Sequence, residues 1–333
     1  MSQYRVFHTK YNKYIYIWRM NASLFLFSLL FCFALHFLIQ KIFIYFKKFD
    51  DFNHRSSHKT LATRTGGIGI FLNLFIISAF FYISNIQIFD YSLFIPFGIM
   101  FIVGVYDDFY KADFKLKFFL QIITAKIMID QGYVISNYYG LFGIYEVSWV
   151  ISQITTVFVF LVVVNAINFI DGIDGLAISQ FIKSIIIVEL FSQKLSLISV
   201  IGFICIGSLI PLYFYNFKHK KKVFLGDGGS MLLGTILMLF LLHILGPDFN
   251  FKSYLSINKT IFSVLVVLYP LLDLLRVFVL RIISGNSPFV ADNNHIHHRL
   301  LSFYGGSHIK SLLSILTIEM LTIYLLTKLL IYF

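Results

Sequence analysis

Apolar residues in this chain come in long unbroken runs, separated by short polar stretches. About 20 apolar residues span a bilayer. On that criterion ten spans are predicted, at residues 22–46, 67–85, 91–106, 118–131, 150–168, 175–192, 196–216, 230–246, 259–282 and 311–332. The run at 118–131 is short and carries Lys126, as a tilted or partly buried helix would. There is no internal repeat, Pro-rich linker or low-complexity tail. The expectation is an all-α, polytopic integral membrane protein, one domain over residues 1–333, with ten transmembrane helices, or eleven if a further element is present.

Alternating these spans puts five loops on one face: 47–66, 107–117, 169–174, 217–229 and 283–310. They carry Lys47, Lys48, Arg55, Lys59, Arg64, Lys111, Lys115, Lys117, Lys218, Lys220, Lys221, Lys222, Arg299 and Lys310. The opposite loops offer Lys194, Lys252 and Lys259. The positive-inside rule therefore places the five loops in the cytoplasm. The basic tail 1–19 disagrees, because an even number of spans puts it outside. An extra membrane element, a tolerated tail or a start at Met20 would each resolve this.

Composition sharpens the picture. Only 13% of residues are charged and 58% are hydrophobic, against about 25% charged in soluble domains. A net charge of +11 raises the question of nucleic acid, but the basic residues are spread among short loops and no nucleic-acid module is present. Cys32 and Cys205 lie inside apolar runs and form neither a disulfide framework nor a CxxC site.

Five polar clusters fall on the predicted cytoplasmic face. The densest is Asn165-Ala-Ile-Asn168-Phe-Ile-Asp171-Gly-Ile-Asp174-Gly175, set between two apolar runs. Charges beside hydrocarbon are costly and usually functional, although Asn, Asp and Gly are also ordinary turn residues. Asp107-Asp108 stands at a span exit, with Lys117 and Gln121 downstream. Such a pair can hold a hard cation or act as a base, or simply balance nearby lysines. Phe224-Leu-Gly226-Asp227-Gly228-Gly229-Ser230 opens another span. A helix beginning near Ser230 would offer free N–H groups to phosphate oxygens, with Ser230 as its N-cap. His295-Ile-His297-His298-Arg299 lacks a further Cys or His pair for tetrahedral zinc and better fits an anionic leaving group. Arg64 and the glycines Gly66, Gly67 and Gly69 close the first loop.

In this order and spacing, Asp107-Asp108, NAINFIDGIDG, FLGDGGS and HIHHR resemble the polyprenyl-phosphate N-acetylhexosamine-1-phosphate transferases, over residues 47–305. HIHHR with Ser287-Pro-Phe and Asp292 is similar to the N-acetylglucosaminyl branch. Phe52 and Thr63 depart from the prolines common in the first loop of that family. The resemblance implies transfer of a sugar 1-phosphate from a UDP-sugar to undecaprenyl phosphate, releasing UMP, at the cytoplasmic face of a bacterial inner membrane. It implies Asp227 as a Mg²⁺ ligand, with Mn²⁺ as a substitute, and Asp107 near both the metal and the lipid phosphate, as base or positioner. Asp108 would support Asp107, and Asn168, Asp171 and Asp174 would line the nucleotide and metal region. Phe224 would stack on uracil. His295, His297, His298 and Arg299, with Lys117 and Arg64, would contact substrate phosphates. A homodimer is compatible. UDP-N-acetylglucosamine is the default donor, with other UDP-N-acetyl sugars open. The glycan served is open too: O-antigen, teichoic acid linkage, capsule or a glycan for proteins.

A rival from another class is an ion-coupled transporter, using Lys183, Glu189 and Asp273 as a relay. Transporter sites lie near the bilayer midplane, whereas the clusters here lie at one interface. An internal pair with Arg276 is the simpler expectation for Asp273.

Overall fold

The computed structural model describes residues 2–49, 62–253, 257–285, 287 and 294–332. In chain order the helices are α1 (Ser2–Tyr45), α2 (Gly66–Ile83), α3 (Phe94–Tyr110), α4 (Phe114–Asp130), α5 (Trp149–Ile170), α6 (Leu176–Phe191), α7 (Leu197–Asn216), α8 (Gly226–Ile244), α9 (Lys259–Val266), α10 (Leu268–Ile283), α11 (Ile296–Phe303) and α12 (His308–Tyr332). Two short strands, β1 (Ala62–Thr63) and β4 (Lys222–Val223), pair in parallel, while β2 (Asn137–Leu141) and β3 (Ile144–Glu146) form an antiparallel hairpin.

Seven helical stretches are long and apolar enough to cross a membrane, and α9 with α10 makes an eighth if that pair, bent by 77°, is one span. All ten predicted runs are helical, but α4 and α6 have only 17 and 16 residues. At 1.5 Å per residue they reach about 25 Å, short of a hydrocarbon core of about 30 Å. By length and composition seven or eight stretches qualify as crossings, while the shorter α4 and α6 also run from the site end of the bundle towards the other. α6 is buried along most of its length, and a helix buried in protein is as apolar as one buried in lipid.

The helices turn large apolar side chains outward. α5 exposes Val150, Ile154 and Phe158 while burying Ser152, Thr156 and Phe160. This inverts the pattern of a soluble bundle and suits a lipid surround. Local signals fix several starts. Asp113 accepts the Lys115 N–H at 3.2 Å to cap α4, and Ser196 and Ser199 form a capping box on α7. Asn258 accepts the Thr260 and Ile261 N–H groups at 2.8 and 3.3 Å to cap α9.

The bundle is built around α8, which is buried almost throughout. Its neighbours approach backbone to backbone. A Cβ on Gly67 of α2 would collide with the Gly229 amide, and one on Gly104 of α3 with the Asp227 carbonyl. The chain entering α2 is zipped to the chain entering α8. Phe224 N–H donates to Thr63 O at 2.8 Å, and the Gly66 and Gly67 amides donate to Phe224 O and Leu225 O, both at 2.9 Å. Both helices therefore start side by side at one end of the bundle. At the other end the β2–β3 hairpin is tied down by Tyr139 Oη to Leu245 O at 2.7 Å and by Asn258 Nδ2 to Tyr139 O at 2.6 Å.

Candidate active site

Four elements deliver carboxylates or amides to that first end: the last turn of α3, the start of α4, the last turn of α5 with the turn after it, and the first turn of α8. Lys117 Nζ lies 2.5 Å from Asp107 Oδ2 and 3.5 Å from Asp227 Oδ2. Asp107 Oδ1 accepts the Ala112 N–H at 2.7 Å. Asn168 Nδ2 donates to Asp227 Oδ1 at 3.1 Å and to Ser230 Oγ at 2.8 Å. Asp107, Asp227, Asn168 and Lys117 thus meet at one place.

Asp108 has a different task. Its two oxygens accept the main-chain N–H groups of Asp227 and Gly228, both at 3.0 Å, and Oδ1 is also 3.3 Å from Arg64 Nη1. The helix starts at Gly226, whose φ of +74° opens it, not at Ser230. The expected N-cap is therefore corrected: Ser230 lies a turn inside and donates to Asp227 O at 3.3 Å. The amides expected to face phosphate are in part already occupied, by Asp108. Arg64 likewise faces Asp108, so its expected contact with substrate phosphate competes with that pair.

Asp171 stands among Asp227, Asp108 and Asp174, and burial followed by these like charges holds its carboxyl well above the usual carboxylate range. For Lys117, burial opposes the charged form, but Asp227 and Asp107 outweigh it and raise the ammonium above the usual lysine value. Asp174 is buried and paired with Lys222, and its Oδ2 lies 3.4 Å from His308 Nδ1. His308 Nδ1 also accepts the Asp174 N–H at 3.0 Å. This places Asp174 as a tie between the DGIDG turn, β4 and the start of α12.

The histidines are organised by Asp273 of α10. Its Oδ2 is 2.7 Å from His295 Nδ1 and 3.8 Å from His297 Nδ1, and its Oδ1 accepts the Ile296 N–H at 2.9 Å. The expected pair with Arg276 is present but longer, at 3.6 Å, and Arg276 also donates to Asn294 O at 2.8 Å. Asp273 therefore serves mainly as the anchor of α11. Asp273, His295 and His297 could together hold a metal ion, their ligand atoms lying within 4.8 Å of one another. Asp273 already spends both oxygens on His295 and the Ile296 amide, however, which suits an orienting carboxylate.

His297 is fully buried, and neither ring nitrogen has a hydrogen-bond partner among the described residues. Burial, then the neighbouring His298, push its imidazole down to about 3. It is thus a neutral hydrogen-bonding group near pH 7. Its Nε2 faces Gly172, where a Cβ would collide with it, which explains the first glycine of DGIDG. The His298 ring lies 4.3 Å from that of His297, tilted by 49°, and Arg299 is exposed beside it. Phe224 is half-buried between β4 and α8. Asp292 and the first-loop residues 50–61, Phe52 among them, lie outside the described residues.

An apolar groove of about 440 Å³ reaches Phe169, the neighbour of Asn168, and is lined by Phe114, Phe118, Phe158, Leu271 and Phe278 among others, with Asn165 as its polar lining residue. Asn165 Nδ2 donates to Gln121 Oε1 at 2.8 Å. Sequence reasoning missed the parts played by Gln121, Lys222, Asp273 and His308, whose partners lie far away along the chain.

These features define a multi-pass membrane protein with an acidic, lysine-bridged site at one end of its bundle and an apolar groove beside it. The model for glycosyl transferase family 4 matches residues 90–245. A probable undecaprenyl-phosphate N-acetylglucosaminyl 1-phosphate transferase of Bacillus subtilis is 29% identical over 286 residues, covering 84% of this chain and 76% of the relative. The decaprenyl-phosphate N-acetylglucosaminephosphotransferase of Mycobacterium tuberculosis is 31% identical over 281 residues, with 76% and 69% covered. An undecaprenyl-phosphate alpha-N-acetylglucosaminyl 1-phosphate transferase of Yersinia pestis is 29% identical over 283 residues, with 82% and 74% covered. The chain belongs to glycosyl transferase family 4, among the polyprenyl-phosphate N-acetylhexosamine-1-phosphate transferases.

Proposed function

We propose that this protein transfers N-acetylglucosamine 1-phosphate from UDP-N-acetylglucosamine to a polyprenyl phosphate such as undecaprenyl phosphate, releasing UMP. A lipid phosphate oxygen attacks the β-phosphorus of the UDP-sugar, and the bond from that phosphorus to the oxygen bridging to UMP breaks. UMP leaves with the bridging oxygen, and no redox step is involved. The observation that carries this reading is the meeting of Asp107, Asp227, Asn168 and Lys117 at the edge of the apolar groove. Phe169 lines the groove next to Asn168, and Phe114 lines it one turn before Lys117. A polyprenyl chain in the groove would bring its phosphate to the site.

Lys117 supplies the positive charge for that phosphate, and Asp107 holds it. With Oδ1 on the Ala112 amide and Oδ2 on Lys117, Asp107 suits a positioner better than a free base. Neutral His297, beside the DGIDG turn, would donate an N–H to a phosphate oxygen of the donor, with Arg299 at the open rim. The clustered carboxylates fit a hard divalent cation, since the like charges around Asp171 call for one and oxygen donors suit Mg²⁺. Asp227, with Asp107 or Asp171 beside it, would hold it, and Mn²⁺ would substitute. Such an ion offsets charge on the diphosphate.

The cytoplasmic face of a bacterial inner membrane is the expected setting. Lys111, Lys115, Lys117, Lys220 and Lys222 lie at the site end, where the positive-inside rule puts the cytoplasm. The transporter reading finds no support, because Lys183 and Asp273 each bond to other partners and, among the described residues, form no chain with Glu189. The test is UMP release by purified protein offered undecaprenyl phosphate and a panel of UDP-N-acetyl sugars with Mg²⁺. Release with the glucosamine donor above all others is expected. Release only with a different UDP-sugar would change the donor, and none with any would reject the reaction.

A further inference from the structure

Lys183 of α6 and Glu319 of α12 meet inside the bundle, with side chains 8% and 2% exposed. Charges at that depth are costly and call for a reason. Lys183 Nζ donates to Glu319 Oε1 at 2.6 Å and to Gln180 Oε1 at 2.7 Å, while Gln180 Nε2 donates to Glu319 Oε2 at 2.6 Å. A further donor to this carboxylate is main chain: Tyr269 N–H reaches Glu319 Oε1 at 3.0 Å. Next to Lys183, Ser184 Oγ donates to Val266 O at 2.8 Å.

Val266 and Tyr269 flank Val267, where the helix breaks between α9 and α10 and turns by 77°. A break in a membrane helix strands N–H and C=O groups, and irregular backbone at this depth survives only where protein satisfies it. Pro270, in the first turn of α10, has no N–H to strand, which suits it to that place. The polar residues of α6 and α12 thus satisfy the break from both sides. One turn beyond Tyr269 comes Asp273, which anchors His295 and the Ile296 amide. Tyr269 itself packs among Asp273, Glu319 and the His297 backbone.

We propose that Glu319, its charge balanced by Lys183, clamps the broken span, holding α10 at the angle at which Asp273 presents His295 and His297 to the donor phosphates. Glu319 is the positioning residue and Lys183 its counter-charge, and the inference rests on the transferase reading above. A buried ion pair is often replaceable by neutral groups without loss of stability, so the essential element is the acceptor for the Tyr269 N–H. The charge on Glu319 is dispensable once Lys183 is neutral too.

The test compares two neutral double variants. Lys183→Met with Glu319→Gln keeps an amide oxygen for Tyr269 and should turn over within about threefold of wild type. Lys183→Met with Glu319→Leu removes the acceptor and should lower kcat at least about tenfold. That loss should match the loss from His297→Ala and should not deepen when the two are combined, since residues acting as one unit are non-additive. Backbone hydrogen exchange of residues 268–303 should quicken in the Leu variant alone, with α3 and α8 unchanged. Equal activity of the Gln and Leu variants, losses that multiply with His297→Ala, or exchange rising evenly across the bundle would each overturn the clamp. If wild type releases no UMP, the reaction reading fails, while the exchange comparison still decides whether the clamp exists.

Discussion

Replacing Asp108 with asparagine separates two roles that the adjacent carboxylates Asp107 and Asp108 share on paper. Asp108 is almost fully buried and accepts two main-chain N–H groups at 3.0 Å plus the Arg64 guanidinium at 3.3 Å. An asparagine side chain there would have one acceptor oxygen, so one α8 amide would face an NH₂ group and the charged contact with Arg64 would be lost. Losing a charged hydrogen bond costs about 1.5–3 kcal/mol, and a stranded buried N–H about 1–3 kcal/mol. Allowing for relaxation, roughly 2–4 kcal/mol of stability should go. If about 1.4–2.8 kcal/mol of it appears as displacement of Asp227, turnover falls roughly 10- to 100-fold. Asp227→Asn, which removes a proposed metal ligand directly, should cost orders of magnitude with little change in thermal midpoint. The assay pairs UMP release, over a Mg²⁺ titration, with melting of the detergent-purified protein. Asp108→Asn should lower the melting midpoint and raise the Mg²⁺ requirement. If it melts like wild type yet is as inactive as Asp227→Asn, Asp108 acts on the reactants and its capping role is wrong.

Gly172→Ala should impair wild type, because the new methyl group meets His297 Nε2, yet cost little in a His297→Ala background; equal losses in both would show that the contact is unimportant. Lys117 has its folded pKa raised, so its stabilising charge is fully present below the unfolded value near 10.4 and is lost only as pH rises through the higher folded value. Wild type should therefore show no Lys117-dependent loss of stability between about pH 7 and 10, and a melting midpoint that falls within that window in wild type but not in Lys117→Met would contradict this assignment. For topology, single cysteines at Ser57, Lys220 and Ser287 should resist an impermeant thiol reagent in intact cells while one at Asn258 reacts. Mixed protection among the first three would break the one-face argument.

Much of the site is legible in the sequence because the residues that gather there sit at the ends of apolar runs, and alternation of spans sends those ends to the same side. That logic sends Asp107, Asn168, Lys117 and Asp227 to one end, and the family resemblance supplies their expected roles. The task of each carboxylate does not. Whether Asp108 faces substrate or caps a helix depends on Asp227 and Gly228, well over a hundred positions away, and nothing local distinguishes it from Asp107. Asp273 looks like a partner for Arg276 because i,i+3 neighbours are visible in a sequence, whereas the 295–297 turn is not. The burial of α6 and the break at Val267 are hidden for a related reason: burial against protein and burial in lipid select the same residues.

The close seating of α8 bears on how the chain is made. Its flanks meet α2 and α3 through glycine, with no side chain between the backbones, so α8 fits a slot only one helix wide. A nascent chain reaches α8 after α1 to α7 have been synthesised, and until it arrives those helices enclose an unfilled seam. Maturation should therefore hinge on one late insertion event. Larger residues at Gly67 or Gly104 would be expected to leave full-length chain in the membrane, unassembled and exposed to quality-control proteases.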